Sequence, residues 1–433
     1  MDSRLISVDR WAQGSQVYFL THLHADHTKG LSSTWARGPL FCSRLTAKLF
    51  PFKFPDLDLS LLRILDIGRW HSLSLVSHSG SETTFQVMAI DADHCPGSVM
   101  LLFRGEFGCM LYTGDFRWEA TSERAKKGRD MLLSALKDDV VDTLYLDNTY
   151  CNPSYDFPSR QLAAQQVIDI IVSNPEHDII IGIDTLGKED LLLQISSVLK
   201  IKIWVWPERL QTMHLLGFRD NFTTNSTLTR VRAVPRYSFS IDTLEGLNTS
   251  HPTIGIMPSG LPWVRRPVEQ NGDIFGSFLR NRYKRGKCSA QGEIQTLERI
   301  HQYMYSVPYS DHSNFAEIED FVKLVQPTNL KGIVSSSSCY VEPIYYFGRL
   351  CGANQSTSQL RNRHKRKGSD EMVGTVCPDA SYGDNNFVGS ERKRGKTLKV
   401  KFSGVRLSRL SILRRKNHRG AKIVENNSDD QNS

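Results

Sequence analysis

A chain of 433 residues with 39% hydrophobic and 23% charged side chains has room for two to three domains at about 150 residues each, and for a large buried core. No run of about 18 or more apolar residues occurs and the opening MDSRLISVDRW is too short and too charged for a secretory h-region, so a soluble intracellular protein with no membrane partner is expected. The net charge of +8 favours a polyanionic partner, and the eight cysteines, scattered without a C-x-x-C pair, exclude the disulfide framework of small secreted domains.

In chain order, short apolar runs predict strands at 17–21, 85–91, 99–103, 109–113 and 143–146. Ala164, Val167, Ile168 and Ile171 share one helical face, followed by a strand at 179–183, a helix over 188–199, a strand at 201–205, and a helix opened by Pro207 and closed by Gly217. Strands alternating with helices predict a parallel α/β layer. The stretch 220–300 reads poorly apart from a strand at 251–257 and a basic loop at 281–287. Ser313 is placed to cap a helix bearing Ile318, Phe321, Val322 and Val325, with Pro327 beyond its end and a last strand at 331–334. Beyond about residue 355 the composition turns polar and basic, which predicts a disordered tail. Its clusters at 361–367 (RNRHKRK), 392–396 (RKRGK) and 414–416 suit nuclear import, nucleic-acid contacts or docking of repair proteins.

The chemistry concentrates after the strand-like run VYFL, where His22-Leu23-His24-Ala25-Asp26-His27 places three histidines and a carboxylate within six residues. Crowding four such side chains at a strand end is costly unless a cation neutralises and orients them. They also point different ways on one turn, which suits two ions better than one. Asp9, His94 in Asp-Ala-Asp-His-Cys-Pro-Gly, Asp115 in Tyr-Thr-Gly-Asp and His312 in Tyr-Ser-Asp-His-Ser follow predicted strands in the same manner, with Asp115 as the carboxylate shared between ions. Nitrogen-rich ligation with carboxylates suits Zn²⁺ first, with Mn²⁺, Mg²⁺ or Fe²⁺ at a second position. Two ions about 3.5 to 4 Å apart activate a water and stabilise both oxygens of an in-line displacement, so a phosphodiester is a natural substrate.

At these residues the sequence resembles the metallo-β-lactamase superfamily, whose H-x-H-x-D-H signature is His22 to His27 here. Asp147 in Leu-Asp-Asn-Thr, His312 in Asp-His-Ser and Val334 in Gly-Ile-Val resemble the three motifs of the β-CASP nucleases. The stretches LSSTWARGPLFCS, DHCPGSVMLLF, LYTGDFR and PYSDHS point to the DNA-repair members. The resemblance covers about residues 5 to 350. It implies an α/β fold, an αββα metallo-β-lactamase sandwich formed by 1–154 and 306–352 with an α/β β-CASP cap inserted at 155–305, leaving 353–433 as the tail. It also implies that His22, His24 and His94 hold a first ion, that Asp26, His27 and His312 hold a second, and that Asp115 is shared. Asp9 and Asp147 would orient the ligands. Valine at position 334 accompanies DNA substrates in this family where histidine accompanies RNA. Ser310 matches a position lining a 5′-phosphate pocket beside a helix N-terminus. The implied function is a nuclear DNA-repair nuclease, a 5′-to-3′ exonuclease acting on single-stranded, frayed or 5′-phosphorylated DNA ends in crosslink or break repair.

Gly182-x-x-x-x-Gly187-Lys188 imitates a nucleotide-binding loop, but Glu189 stands where Ser or Thr must hold Mg²⁺, so nucleotide hydrolysis is rejected. Lys188 then faces either nucleic-acid phosphate or a carboxylate. Trp204, Trp206 and Trp263 are read as core in preference to base-stacking platforms. Three competing functions stand beside the nuclease: an RNA-processing enzyme, which Val334 opposes; a small-molecule hydrolase, which the cap and the charge oppose; and a non-catalytic DNA-binding scaffold, which the filled ligand positions oppose.

Overall fold

A computed structural model of the chain describes residues 6–11, 13–76, 80–137, 139–153, 155–260, 298–334 and 341–352. The basic loop at 281–287, Trp263 and the tail clusters lie outside them.

The chain opens with strands β1 (Ile6–Val8), β2 (Val17–Phe19), β3 (Leu40–Ser43) and β4 (Leu62–Leu65), which form an all-parallel sheet in that order. Between the last two runs helix α1 (Arg44–Lys53), whose first turn is capped by the Ser43 hydroxyl accepting from Thr46 N–H. A second sheet follows from β5 (Trp70–Val76), β6 (Glu82–Asp91), β7 (Val99–Gly105), β8 (Gly108–Tyr112) and β9 (Thr143–Leu146), with helix α2 (Glu123–Leu136) before the last strand. Strands β5 to β8 pair antiparallel in sequence order and β9 joins β8 in parallel.

The chain then builds a third layer. Helices α3 (Arg160–Ser173), α4 (Glu189–Leu199), α5 (Pro207–Leu215) and α6 (Ile241–Asn248) accompany β10 (Asp178–Ile183), β11 (Ile203–Trp204), β12 (Phe222–Thr223), β13 (Val231–Pro235), β14 (Thr253–Pro258), β15 (Glu298–His301) and β16 (Met304–Val307). Every pairing in this sheet is parallel except the β15–β16 hairpin at its edge. The near-continuous apolar run of β10, with Ile179, Ile181 and Ile183 fully buried, is what a strand covered on both faces requires. After this excursion helix α7 (Phe315–Val325) and β17 (Asn329–Gly332) return to the second sheet, β17 pairing in parallel with β9, and helix α8 (Ile344–Phe347) closes the described chain.

The apolar clusters show how the layers stack. Val8, Val17, Phe19 and Phe41 of the first sheet meet Phe85, Val87, Leu101 and Phe103 of the second in one core. The far face of the second sheet packs on Leu132 of α2 and on Ile318, Phe321 and Val322 of α7. The far face of the first packs on Leu49 and Phe50 of α1. The order is therefore helix, sheet, sheet, helix, and the third sheet has its own core with α3, α4 and α5.

Most of the elements read from sequence recur here with shifts at their ends. The apolar face of α7 is buried as expected, but its N-cap is Asn314 in a reciprocal box with Glu317, not Ser313. Ser313 is drawn away by other partners, donating to Phe116 O at 3.1 Å and accepting from Trp118 N at 2.9 Å. The run 201–205 contracts to a two-residue strand, and 331–334 slides back to 329–332. Trp204 and Trp206 are half-buried, Trp206 against the core of the third sheet. No helix among the described residues is long and apolar enough to cross a membrane.

Candidate metal centre

In the second sheet β6, β8, β9 and β17 run the same way, since two antiparallel steps separate β6 from β8 and the remaining pairings are parallel. Their C-terminal ends deliver His94, Asp115, Asp147 and Val334 to one sheet edge. Asp9 and His22 leave β1 and β2 of the first sheet, and His312 follows β16 of the third. Gly114 is needed for the approach: its φ is +56°, and a Cβ there would stand 2.9 Å from Thr21 Cβ.

Four imidazoles converge on Asp115. Its Oδ2 lies 3.2 Å from His27 Nε2, 3.6 Å from His22 Nε2, 3.6 Å from His94 Nε2 and 4.0 Å from His312 Nε2. His24 joins from the side, its Nδ1 3.1 Å from His94 Nε2. Among the described residues, three sets have their ligand-type atoms within 4.8 Å of one another: His22, His24, His94 and Cys95; His22, His27 and Asp115; and His94, Asp115 and His312.

The outer nitrogen of each ring fixes where its proton sits. His94 Nδ1 donates to the Asp311 carbonyl at 2.7 Å and His24 Nε2 to the Leu186 carbonyl at 2.9 Å, because a carbonyl only accepts. His27 Nδ1 donates to Asp9 Oδ2 at 2.6 Å, and His312 Nδ1 to Asp147 Oδ2 at 2.8 Å. Thr21 gives its one hydroxyl proton to Asp9 Oδ2 at 2.7 Å, which leaves its oxygen to accept from His22 Nδ1 at 3.0 Å. Five lone pairs therefore point into the cluster, four of them at the Asp115 carboxylate and that of His24 at His94.

Protonating the rings does not relieve this. Burial, then the neighbouring His27 and His24, hold His22 well below the ordinary histidine range, and burial followed by His312 does the same to His94. His22 Nε2 is buried with no hydrogen-bond partner, and His94 Nε2 meets His24 Nδ1 lone pair to lone pair. A cation at the centre satisfies these atoms at once, so the donor set fits a metal.

The first expected ligand set, His22, His24 and His94, is gathered as one. The second is distributed differently: His27 groups with His22 and Asp115, His312 groups with His94 and Asp115, and half-buried Asp26 belongs to none of the three sets. Asp26 instead lies close enough to the Lys53 ammonium to act on it. Asp9 accepts from His27 Nδ1 and Asp147 from His312 Nδ1, Asp147 also accepting from Thr149 N–H and hydroxyl. Val334 is buried, with its N–H donating to Asn148 Oδ1 at 2.9 Å, so its side chain joins the core beneath the site. Ser310 is buried, its hydroxyl donating to His312 O and accepting from His312 N–H, which shapes the turn that carries the histidine. Lys188 pairs with Asp184 at 3.3 Å and Asp311 at 3.2 Å. Burial opposes its charge, but these carboxylates outweigh it and raise its pKa.

Sequence reasoning passed over several contributors. Cys95 was visible beside His94. The Leu186 and Asp311 carbonyls carried no side-chain signal, and neither did the ion network in which Arg160 joins Asp93 to Glu119 and Arg117 joins Glu317 to the Ser310 carbonyl. A cavity of about 620 Å³ opens at His94 and Cys95, bordered by Arg44, Lys48, Arg124 and Arg160.

Comparison with known proteins agrees with this geometry. Residues 218–338 match the family described as DNA repair metallo-beta-lactamase. The chain is 38% identical over 339 residues to a chicken protein named 5′ exonuclease Apollo, covering 77% of this chain and 63% of that one, and 40% identical over 338 residues to the mouse protein of that name, covering 77% and 54%. Over these residues the chain is similar to DNA-repair metallo-β-lactamases. A further relative, DNA cross-link repair protein SNM1 of Arabidopsis thaliana, is 30% identical over 75% of this chain and 62% of that one. The chain thus spans between half and two thirds of the length of these relatives. A solved protein of unknown function from Enterococcus faecalis V583 aligns at 14% identity over 74% of this chain and 76% of that one, with a TM-score of 0.46.

Proposed function

We propose that this protein is a metal-dependent DNA nuclease, a 5′-to-3′ exonuclease of DNA repair. The observation that carries the reading is the convergence of four inward lone pairs on Asp115, with His24 beside them, in a chain 38–40% identical to proteins named 5′ exonuclease. On this reading the helix–sheet–sheet–helix body, residues 1–154 with 306–352, is the metallo-β-lactamase sandwich and 155–305 the β-CASP cap. Two ions, Zn²⁺ first with Mn²⁺, Mg²⁺ or Fe²⁺ at the second position, would be held by His22, His24 and His94 and by His27 and His312, with Asp26 near the second and Asp115 between them. Such ions activate water and neutralise charge on a phosphodiester.

The protein's own part is positional. Asp9, Asp147, the Thr21 hydroxyl and the Leu186 and Asp311 carbonyls hold the rings with their lone pairs inward. Arg44, Lys48, Arg124 and Arg160 line the adjoining cavity together with the carboxylates of Asp66, Asp91, Asp190 and Asp311, so cations able to meet a phosphate backbone stand there among acidic partners. Ser310, in the turn that carries His312, is assigned to the terminal phosphate, whereas Lys188 is engaged by Asp184 and Asp311. The buried Val334, in place of a histidine, supports DNA over RNA, and the basic clusters of the tail support the nucleus as its place of work.

The test incubates the purified protein with 5′-phosphorylated and 5′-hydroxyl single strands of DNA and of RNA, with and without chelator. Cleavage of DNA from the 5′ end, lost on chelation and restored by Zn²⁺ or Mn²⁺, is expected. Equal or better cleavage of RNA would overturn the substrate assignment, and binding without cleavage would favour a scaffold.

A further inference from the structure

The loop before α4 reaches from the third layer to the metal centre and is held by a buried guanidinium and carboxylate. Arg209, on α5 and 1% exposed, donates to the Thr185 carbonyl, to the Gly187 carbonyl at 2.7 Å, and pairs with Glu189 Oε1 at 2.8 Å. That Glu189 oxygen also accepts from Gly187 N–H at 3.0 Å, so the guanidinium and the carboxylate clamp residues 185–189 from both sides. The clamped loop presents the Leu186 carbonyl to His24 Nε2 at 2.9 Å and the Lys188 ammonium to Asp311 Oδ2 at 3.2 Å. Asp311 in turn offers its carbonyl to His94 Nδ1 at 2.7 Å. Gly187 has φ +104°, a conformation that favours glycine, and a Cβ there would be in ordinary contact with Asp311 Oδ2 at 3.5 Å and His24 Nε2 at 3.9 Å.

We propose that Arg209 is a positioning residue for the metal centre, and that the 185–189 loop it clamps makes metal affinity depend on docking of the third layer. The physical argument is the proton on His24. With Leu186 O in place the proton stays on Nε2 and Nδ1 faces the cation; with the loop displaced, the proton is free to occupy Nδ1 and block it. Lys188 acts in parallel, because an Asp311 carboxylate released from its ammonium no longer fixes the backbone that receives His94. Linkage makes the effect reciprocal: a cation that selects the docked loop must also tighten it.

The inference rests on the metal-centre reading but not on the substrate, and zinc binding by the wild-type chain separates the two failures. Zinc affinity is measured by competition with a chromophoric chelator for wild type, Arg209→Met, Arg209→Lys and the control Arg230→Met. Arg230 also holds backbone carbonyls in the third layer, those of Ile171, Asn174 and His177 at 2.7–3.0 Å, at the end of α3. Arg209→Met is expected to lose about 10- to 100-fold in affinity, Arg209→Lys less, and Arg230→Met none, although both methionine variants unfold at lower temperature. Equal zinc affinity in folded Arg209→Met and wild type overturns the proposal. Should Arg209→Met not fold, hydrogen exchange of the wild-type chain decides: zinc must slow the amides of 185–189 and α5, and unchanged exchange there overturns it.

Discussion

Asp9→Asn isolates one orienting group without disturbing the backbone. Asp9 sits at φ 51°, a left-handed conformation that asparagine tolerates as well as aspartate, so no strain is introduced. Its carboxylate accepts from Thr21 N at 2.8 Å, Thr21 Oγ1 at 2.7 Å and His27 Nδ1 at 2.6 Å, all buried. An amide keeps one oxygen, which stays with Thr21 N–H, and the Thr21 hydroxyl can rotate to accept from the new NH₂. His27 Nδ1–H is then left facing a donor. In the metal-free chain the ring escapes by moving its proton to Nε2, where Asp115 Oδ2 waits at 3.2 Å, so the apo protein loses little stability. Zinc needs that lone pair, so the cost reappears on binding. A 10- to 100-fold loss of affinity, about 1.4 to 2.8 kcal/mol, follows. The assay is thermal unfolding across a zinc titration, in which the ligand-dependent gain grows as RT ln(1 + [L]/Kd). Asp9→Asn should match wild type without metal and gain less with it. An equal zinc-dependent gain in both proteins would refute the assigned proton positions.

Three further outcomes are expected. Asp115→Ala removes the carboxylate common to two of the ligand sets, so metal content per chain should fall and DNA cleavage should vanish; normal cleavage would end its bridging role. Arg117→Met leaves Glu317 without its 2.8 Å partner and the Ser310 carbonyl without its donor, so a loss of about 3 to 5 kcal/mol should appear in the urea midpoint, and an unchanged midpoint would show the network to be inert. Burial pushes the Cys42 and Cys151 thiols up to about 12 and, despite Arg104, Cys109 to about 11. Their pKa values are raised on folding, so the unfolded chain releases these protons first, and stability, full below about pH 8.5, must fall as pH rises towards the folded values. Replacing Cys42 by alanine should flatten the alkaline slope of unfolding free energy, and a slope identical to wild type would contradict this.

The centre was legible where ligand-type side chains follow buried apolar runs, because a strand end offers little other reason to crowd His22, His24 and His27. Asp115 and His94 obeyed the same logic on β8 and β6. Illegible were contributions that any residue type can make: the carbonyls of Leu186 and Asp311 act through backbone, which the alphabet of side chains does not encode. Asp26 fell outside the gathered sets because turn geometry, not residue type, decides which of four successive ligands faces inward. The helix cap failed for a related reason: Ser313 and Asn314 are both good caps, and a tertiary contact with Phe116 and Trp118 chose between them. Short strands such as β11 and β12, two residues each, are set by their neighbours in the sheet and carry no periodicity of their own.

The return of β17 to pair with β9 has a consequence for synthesis. Asn329 sits opposite Thr143, and His312 meets Asp147 at a sequence separation of 165. A nascent protein made from its N-terminus therefore carries an unpaired flank on β9, and an incomplete ligand set, until the whole third layer has been translated. Contacts this distant in sequence form slowly, and an open strand flank recruits other chains. The interval between translation of β9 and arrival of β17 is then the window in which this protein is most exposed to aggregation, and the one a chaperone would have to cover.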